Sequence, residues 1–412
     1  MTICIVGLGY VGFPLALHAA SKGMEVVGVD TDSEKLRKIS EGQLGVDDQF
    51  TAHLIKNTTL KLSKTVVPAD IFVVCVPTPV NHDKDPDLGC VIDAVKNVST
   101  VIEDGNLVVI ESTIYPGVCE ELLKPILEES GKKYYLGHCP ERINPGDEKW
   151  NVSNIPRVVG GIDQKSTELT AEFYSQVVSA EITAVSEIKA AEATKILENT
   201  FRDVNIAFIN EMAESFYRLG IDTNEVIKGA SSKPFGFMPH YPGIGVGGHC
   251  IAVDPYYMIK KGSKVGFDHG FLIHARRINN EMPAFTVGIV QEELNKLGYP
   301  VKGTPITVLG LSYKPDVADD RESPSYELIK ILKKKEADLT LFDPYLPEKS
   351  TAESLKEALN GSVCVVIATA HKEFRDNSLY KNAKLVVDGR NCLDKKIVRD
   401  YGLVYKGIGV SA

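Results

Sequence analysis

Residues 2–30 constrain this 412-residue chain more than any other stretch. The apolar run Thr2-Ile3-Cys4-Ile5-Val6 reads as a buried strand. It is followed by Gly7-Leu8-Gly9-Tyr10-Val11-Gly12, an amphipathic helix to about Lys22, and a second strand, Glu25 to Val29, that ends in Asp30. Each glycine has a separate duty: Gly7 makes the turn, Gly9 lets a pyrophosphate approach the main chain, and Gly12 packs helix on strand. The loop backbone, including Tyr10 and Val11, leads into a helix N-terminus whose N–H groups suit phosphates. Asp30 accepts from both ribose hydroxyls and repels a 2′-phosphate, so NAD is expected rather than NADP. A chain that opens this way is committed to a parallel sheet covered on both faces.

The continuation fits that frame. Asp70 to Val76, Asn106 to Glu111 and Tyr134 to Leu136 are near-continuous apolar runs at parallel-sheet spacing. Each run ends in a polar or proline-rich loop: Pro77-Thr78-Pro79, Ser112-Thr113-Ile114-Tyr115-Pro116-Gly117, and Cys139-Pro140-Glu141-Arg142-Ile143-Asn144-Pro145-Gly146-Asp147. Ligands bind at the strand C-termini of such sheets, which makes Thr78, Thr113 and Glu141 candidates; the two threonines also read as ordinary turn hydroxyls.

From about Ser186 to Leu219 no Gly or Pro interrupts a helical pattern. At 1.5 Å per residue it spans roughly 50 Å, longer than a small domain is wide, so it is expected to link domains and meet a second copy of the chain. Lys195 and Asn199 share one of its faces and, considered alone, also read as solvated side chains. A second long helix, about Asp268 to Leu297, is notched at Pro283. Beyond a linker at Lys302-Gly303-Thr304-Pro305, a second α/β pattern begins at Ile306, but its first strand runs into Ser312-Tyr313-Lys314-Pro315-Asp316 instead of a glycine fingerprint. Lys314, Arg321 and Arg390 follow strands or precede helices there, where cations suit a diphosphate; taken singly each also reads as a solvated charge. The fold class is therefore α/β, with two Rossmann-like doubly wound domains joined by a long central helix and helical segment.

Between the two patterns lies Gly245-Val246-Gly247-Gly248-His249-Cys250-Ile251-Ala252-Val253-Asp254-Pro255. Three glycines in four residues permit close approach to the main chain and present a cysteine near a helix start, where a thiolate is favoured; a lone cysteine after a tight turn also reads as a buried structural residue. The eight cysteines contain no C-x-x-C pair, so neither a zinc site nor a disulfide framework is expected. A net charge of −9 argues against a general nucleic-acid or membrane-surface binder. The N-terminus enters a strand directly, without a charged leader and apolar core, and a cytoplasmic location is expected.

Taken in order, the fingerprint at Gly7, Val76-Pro77-Thr78-Pro79, Ser112-Thr113, Pro140-Glu141, Lys195 with Asn199, Gly247-Gly248-His249-Cys250 with Asp254, and Arg321-Glu322-Ser323-Pro324 resemble the NAD-dependent nucleotide-sugar 6-dehydrogenases over essentially the whole chain. The resemblance implies oxidation of a UDP-sugar C6 alcohol to a carboxylate with two NAD. It casts Cys250 as the nucleophile that holds the aldehyde as a thiohemiacetal and then a thioester. Lys195 and Asn199 would stabilise the oxyanion, while Asp254 and Thr113 aid water and proton transfer and Glu141 contacts the sugar and assists hydrolysis. Thr78, Thr113 and Arg321 would touch the cofactor. Arg142, Tyr241, Gly247, Lys314 and Arg390, with Glu141, Lys195 and Asn199, would hold the UDP-sugar. It also implies a homodimer through the central helix and three domains: 1–185 for NAD, 186–300 helical with the dimer interface and the cysteine, and 301–412 for UDP-sugar.

Arg142 and Pro145 stand where UDP-glucose enzymes carry Phe and a second Glu, and His249 replaces their Ser before the cysteine. These departures resemble the UDP-N-acetylhexosamine branch. Ile143-Asn144-Pro145-Gly146-Asp147 resembles UDP-GlcNAc and UDP-GalNAc oxidisers, whereas Arg157-Val158-Val159-Gly160-Gly161 and the segment from Arg202 to Phe208 resemble UDP-ManNAc oxidisers. The expectation leans to UDP-GlcNAc, with a UDP-glucose dehydrogenase and a single-step hydroxy acid dehydrogenase as alternatives.

Overall fold

The structure is a computed structural model that describes residues 1–43, 49–81, 85–143, 149–248 and 250–410. The motif residues Asn144 to Asp147 and His249 lie outside the described residues. The chain divides into two compact units, Met1–Glu198 with Tyr256–Phe267, and Asn199–Pro255 with Asp268–Ala412.

In the first unit, the strands are β1 (Thr2–Val6), β2 (Glu25–Val29), β3 (Lys61–Ser63), β4 (Ile71–Val74), β5 (Leu107–Ile110), β6 (Tyr135–His138), β7 (Arg157–Gly161) and β8 (Ile182–Ala184). They form one sheet in the order β3-β2-β1-β4-β5-β6-β7-β8. All pairs are parallel except β6 with β7. The strands read from the apolar runs are present, while β3, β7 and β8 were not assigned from sequence. β3 and β8 are short and partly exposed, so they lack a continuous apolar run. β7 ends in Gly160-Gly161, which reads as a break. Here Gly161 and Gly137 let helix Gln164–Val177 lie close on β6 and β7, because a Cβ at Gly137 would strike Thr170 and one at Gly161 would strike Ser166. Ile5, Leu15, Val73, Val109, Phe173 and Val177 belong to the core beneath.

In the second unit, β9 (Pro305–Leu309), β10 (Asp338–Phe342), β11 (Cys364–Ile367), β12 (Leu385–Asp388) and β13 (Val404–Gly407) form a parallel sheet in the order β10-β9-β11-β12-β13. Helix Gly270–Lys296 covers one face: Met282, Val287, Val290 and Leu294 share a core with Val308, Leu328 and Val366. The long helix runs Ile188–Leu219, and the boundary between the units falls inside it. Pro283 does not end its helix, but it has no N–H for the carbonyl of Asn279 four residues earlier. That carbonyl faces Gly245 so closely that a Cβ there would collide with it. The proline notch and the glycine bend are thus two sides of one contact. Among the described residues no helix is long and apolar enough to cross a membrane.

Candidate active site

The first glycine loop is tied to its surroundings by main-chain bonds. Gly7 N–H donates to Val29 O at 2.8 Å, and Gly7 sits at φ +97°, where its missing side chain lets it lie against the Cys75 backbone. A Cβ on Gly12 would fall on the Gly7 carbonyl oxygen. A Cβ on Gly9 would meet no protein atom within 4 Å, so internal packing does not call for glycine there and the main chain is open on that side. Asp30 is 9% exposed and accepts from Leu8 N–H at 3.0 Å, Asp32 N–H at 3.0 Å and Lys35 Nζ at 2.8 Å. Burial opposes its charge, but Lys35 and these N–H groups overcome it and hold the carboxyl below its ordinary value. An ionised acceptor after β2 and a loop open at Gly9 fit the ribose and pyrophosphate of NAD. Tyr10 is exposed and Val11 partly so, on the turn that enters helix Gly12–Ser21.

The loops after β4, β5 and β6 stand on a buried polar cluster. Ser112 donates to Val76 O at 2.7 Å, joining the loop that carries Thr78 to the one that carries Thr113; both threonines are partly buried. Tyr257, 1% exposed, donates to Thr78 O at 2.5 Å. Because β7 runs antiparallel to β6, its first residue, Arg157, arrives at the edge where β1 to β6 end. Arg157 is fully buried, 2.6 Å from Glu141 Oε2 and 3.6 Å from Glu111 Oε1. Glu141 Oε1 accepts from the N–H groups of Arg142 and Ile143, each at 2.6 Å. The Tyr174 hydroxyl donates to Glu111, and the Cys75 thiol lies 3.6 Å from the same carboxyl. Burial pushes Glu111 up to about 7 against the pull of Arg157, with Glu141 adding to the rise. Arg142 pairs with Glu198 at 2.6 Å and donates to Pro156 O at 3.0 Å. The predicted sugar contacts Glu141 and Arg142 are therefore both held by protein partners, and Glu141 is 6% exposed.

In the second unit, Cys250 is partly exposed. Burial pushes the thiols of Cys4, Cys75, Cys119, Cys139, Cys364 and Cys392 upward, so these stay protonated. Cys90 is exposed on helix Gly89–Ser99. The Cys250 carbonyl accepts from Asp254 N–H at 2.8 Å where helix Asp254–Lys264 begins, and the buried Asp254 carboxylate accepts from Asn199 Nδ2 at 2.5 Å. Gly248 N–H donates to Arg321 O at 3.0 Å, and a Cβ on Gly247 or Gly248 would strike Tyr313. The bend that presents the thiol therefore rests on the loops after β9. Gly243 N–H donates to Asn210 Oδ1 at 3.0 Å, and a Cβ there would strike the Arg390 guanidinium. Arg390 Nε donates to Ala368 O at 2.8 Å.

The remaining predicted residues lie on the long helix, on the loops after β9 and on the segment before the glycine bend. Lys195 and Asn199 are one turn apart on the long helix and partly buried. The side chain of Arg321 is paired with Asp319 at 2.5 Å and 47% exposed. Lys314 is partly buried and Tyr241 is exposed. Arg157, Glu111 and Tyr174 carry no site role in the sequence reading, although Arg157 opens the Arg157–Gly161 motif. Glu111 had a usable signal, an acid directly after an apolar strand as at Asp30, but the other two need the antiparallel strand and its helix to be known. Among the described residues, no group of three or more His, Cys, Asp or Glu side chains is placed to hold a metal ion.

Comparison with known proteins agrees with this layout along the whole chain. Family models described as UDP-glucose/GDP-mannose dehydrogenase family match as NAD binding domain over residues 1–178, central domain over 189–281 and UDP binding domain over 307–395. The chain is 36% identical over 428 residues to UDP-N-acetyl-D-mannosamine dehydrogenase of Methanococcus maripaludis, covering 100% of this chain and 97% of that one. It is 35% identical over 390 residues to UDP-N-acetyl-D-glucosamine 6-dehydrogenase of Pseudomonas aeruginosa, covering 91% and 92%. The solved structure of UDP-D-ManNAc dehydrogenase from Pyrococcus horikoshii superposes with a TM-score of 0.92 at 35% identity, over 100% of this chain and 99% of that one. The chain thus belongs to the UDP-glucose/GDP-mannose dehydrogenase family, NAD-dependent oxidoreductases that act on nucleotide sugars.

Proposed function

We propose that this protein oxidises the C6 alcohol of a UDP-N-acetylhexosamine to the uronic acid through a covalent adduct on Cys250. The observation that carries the reading is the bend itself: a partly exposed cysteine after three glycines, two of which rest on loops of the UDP binding domain, followed by a buried Asp254 bonded to Asn199. NAD, when bound, accepts the hydride in each oxidation. The first oxidation removes a hydride from C6 and a proton from its hydroxyl, and Sγ of Cys250 adds to the aldehyde carbon. The second removes the remaining C6 hydride and leaves a thioester. Water then adds, the carbon–sulfur bond breaks, and the carboxylate departs as the thiol regains its proton. Asn199 and Lys195 stabilise the oxyanion; Asp254 and Thr113 orient the water and move its proton. Glu141 faces the sugar and assists hydrolysis. Lys314 and Arg390 take the diphosphate, and Arg321 serves the cofactor side.

The three predicted segments, 1–185, 186–300 and 301–412, then divide the work into cofactor, thiol and dimer, and nucleotide. An exposed apolar stripe on the long helix, Leu197, Phe201, Phe208 and Leu219, supports a homodimer.

For the sugar, the segment Ile143 to Asp147 favours the gluco or galacto epimer. The full-length match to a protein named for the manno epimer favours UDP-ManNAc as a second reading. An NADH assay over UDP-Glc, UDP-GlcNAc, UDP-GalNAc and UDP-ManNAc separates them. Turnover is expected with at least one acetamido sugar and little with UDP-Glc; preference for UDP-Glc would reject the branch.

A further inference from the structure

Asp343 follows β10 and His371 follows β11; both are fully buried. In the sheet β9 lies between these two strands, so the two side chains flank the loop that leaves β9, Ser312 to Asp316. Asp343 Oδ2 accepts from Leu311 N–H at 2.7 Å, Ser312 N–H at 2.9 Å and the Ser312 hydroxyl at 2.6 Å. His371 Nε2 lies 3.1 Å from the same oxygen, and its Nδ1 is 2.8 Å from the N–H of Asp316. A backbone N–H only donates. Nδ1 is therefore the acceptor, and the ring proton sits on Nε2 and is donated to Asp343. Tyr345 stacks on the ring at 4.9 Å and Phe374 meets it edge-on at 5.3 Å, which fixes its plane. The Thr369 hydroxyl adds a bond to Ser312 O at 2.5 Å.

The loop is thus pinned at both ends, at 311–312 by Asp343 and at 316 by His371. At its far end Asp316 sits at φ +61°, a region Asp tolerates better than most side-chained residues, and Lys372 N–H adds a bond to its carboxylate at 3.1 Å beside the His371 contact. Between the pins are Lys314 and Tyr313, the residue on which Gly247 and Gly248 rest. We propose that His371 is a positioning residue: held by Asp343 and holding Asp316, it fixes this loop from behind, and so sets both the placement of Lys314 for a nucleoside diphosphate and the seat of the Cys250 bend. This rests on the roles given above to Lys314 and Cys250. His371 is sealed from solvent and is not assigned a contact with substrate.

The test uses the full-length protein with His371→Asn, which keeps an acceptor near Nδ1, His371→Gln, which keeps a donor near Nε2, and His371→Phe, which keeps neither. Ser312→Ala removes one tether from the loop side by a small change and serves if the His371 variants fail to fold. UDP binding by calorimetry is expected to weaken about tenfold in His371→Phe and about threefold in the other three, with the KM for NAD within about twofold of the parent. The alkylation rate of Cys250 by iodoacetamide without substrate, followed at that peptide, is expected to change by about threefold or more in His371→Phe, and less in His371→Asn. Folded variants with unchanged UDP affinity and unchanged Cys250 alkylation would overturn the proposal, as would an equal loss for NAD and UDP. If the parent turned over no UDP-sugar, the functional reading would fail while the UDP and alkylation comparisons still judged the clamp.

Discussion

Side-chain chemistry in this protein is decided by what burial leaves each group to bond with. Glu111 is enclosed with Arg157, Glu141, Tyr174 and Cys75, and its carboxyl is pushed up to about 7 chiefly by desolvation. In the unfolded chain the same group titrates near the ordinary glutamate value. The folded state therefore holds the extra proton between those two values. Glu111 costs nothing below about pH 4.5 and costs progressively more stability as pH rises through about 7, above which the penalty is constant. Glu111→Gln removes this dependence. The variant is expected to gain on the parent by on the order of 1–3 kcal/mol between pH 5 and pH 8 in urea denaturation. A difference that is the same at both pH values would contradict the assignment. At this scale the sequence was informative wherever a residue type carries its own chemistry. Cys250 was legible because three glycines stand before it, and Asp30 because it ends a strand. Arg157 was not, since a lone arginine before two valines says nothing of being buried against two carboxylates.

Among the elements, strand ends gather the functional groups. Asp30, Glu111, Asp343 and Arg390 each leave a parallel strand at its C-terminal edge. For Asp30 and Glu111 this follows from the topology that residues 2–30 impose, and it explains why the first sheet was legible over β1, β2, β4, β5 and β6. The unread strands fail the apolar-run criterion for a physical reason. β3 and β8 are three residues long with exposed positions, and β7 depends on glycines that make room for a helix. The first glycine loop gives the sharpest test at this scale. Gly12→Val places a branched side chain on the Gly7 carbonyl, so the turn must open. NAD affinity is expected to fall at least about a hundredfold, measured by titrating NADH fluorescence, while UDP binding stays within about twofold because it belongs to the other unit. Equal loss of both ligands would show general unfolding instead.

For the whole molecule, the long helix Ile188–Leu219 carries Lys195 and Asn199 on one face and an exposed apolar stripe along its length. If a second copy covers that stripe, Phe208→Glu is expected to convert a dimer to a monomer by light scattering; a parent that is already monomeric would contradict the dimer. The sequence reached the family. It left the sugar epimer open, because one stereocentre depends on a few contacts and part of the relevant motif lies in residues 144–147, outside the described residues. The central claim is that one thiol carries a single sugar through two oxidations. It is tested most directly by counting NADH formed per UDP-N-acetylhexosamine consumed, for the parent and for Cys250→Ala. The account predicts two NADH per sugar with the uronic acid as product, and no net acid from the variant. One NADH per sugar, or a variant that still forms the acid, would contradict it.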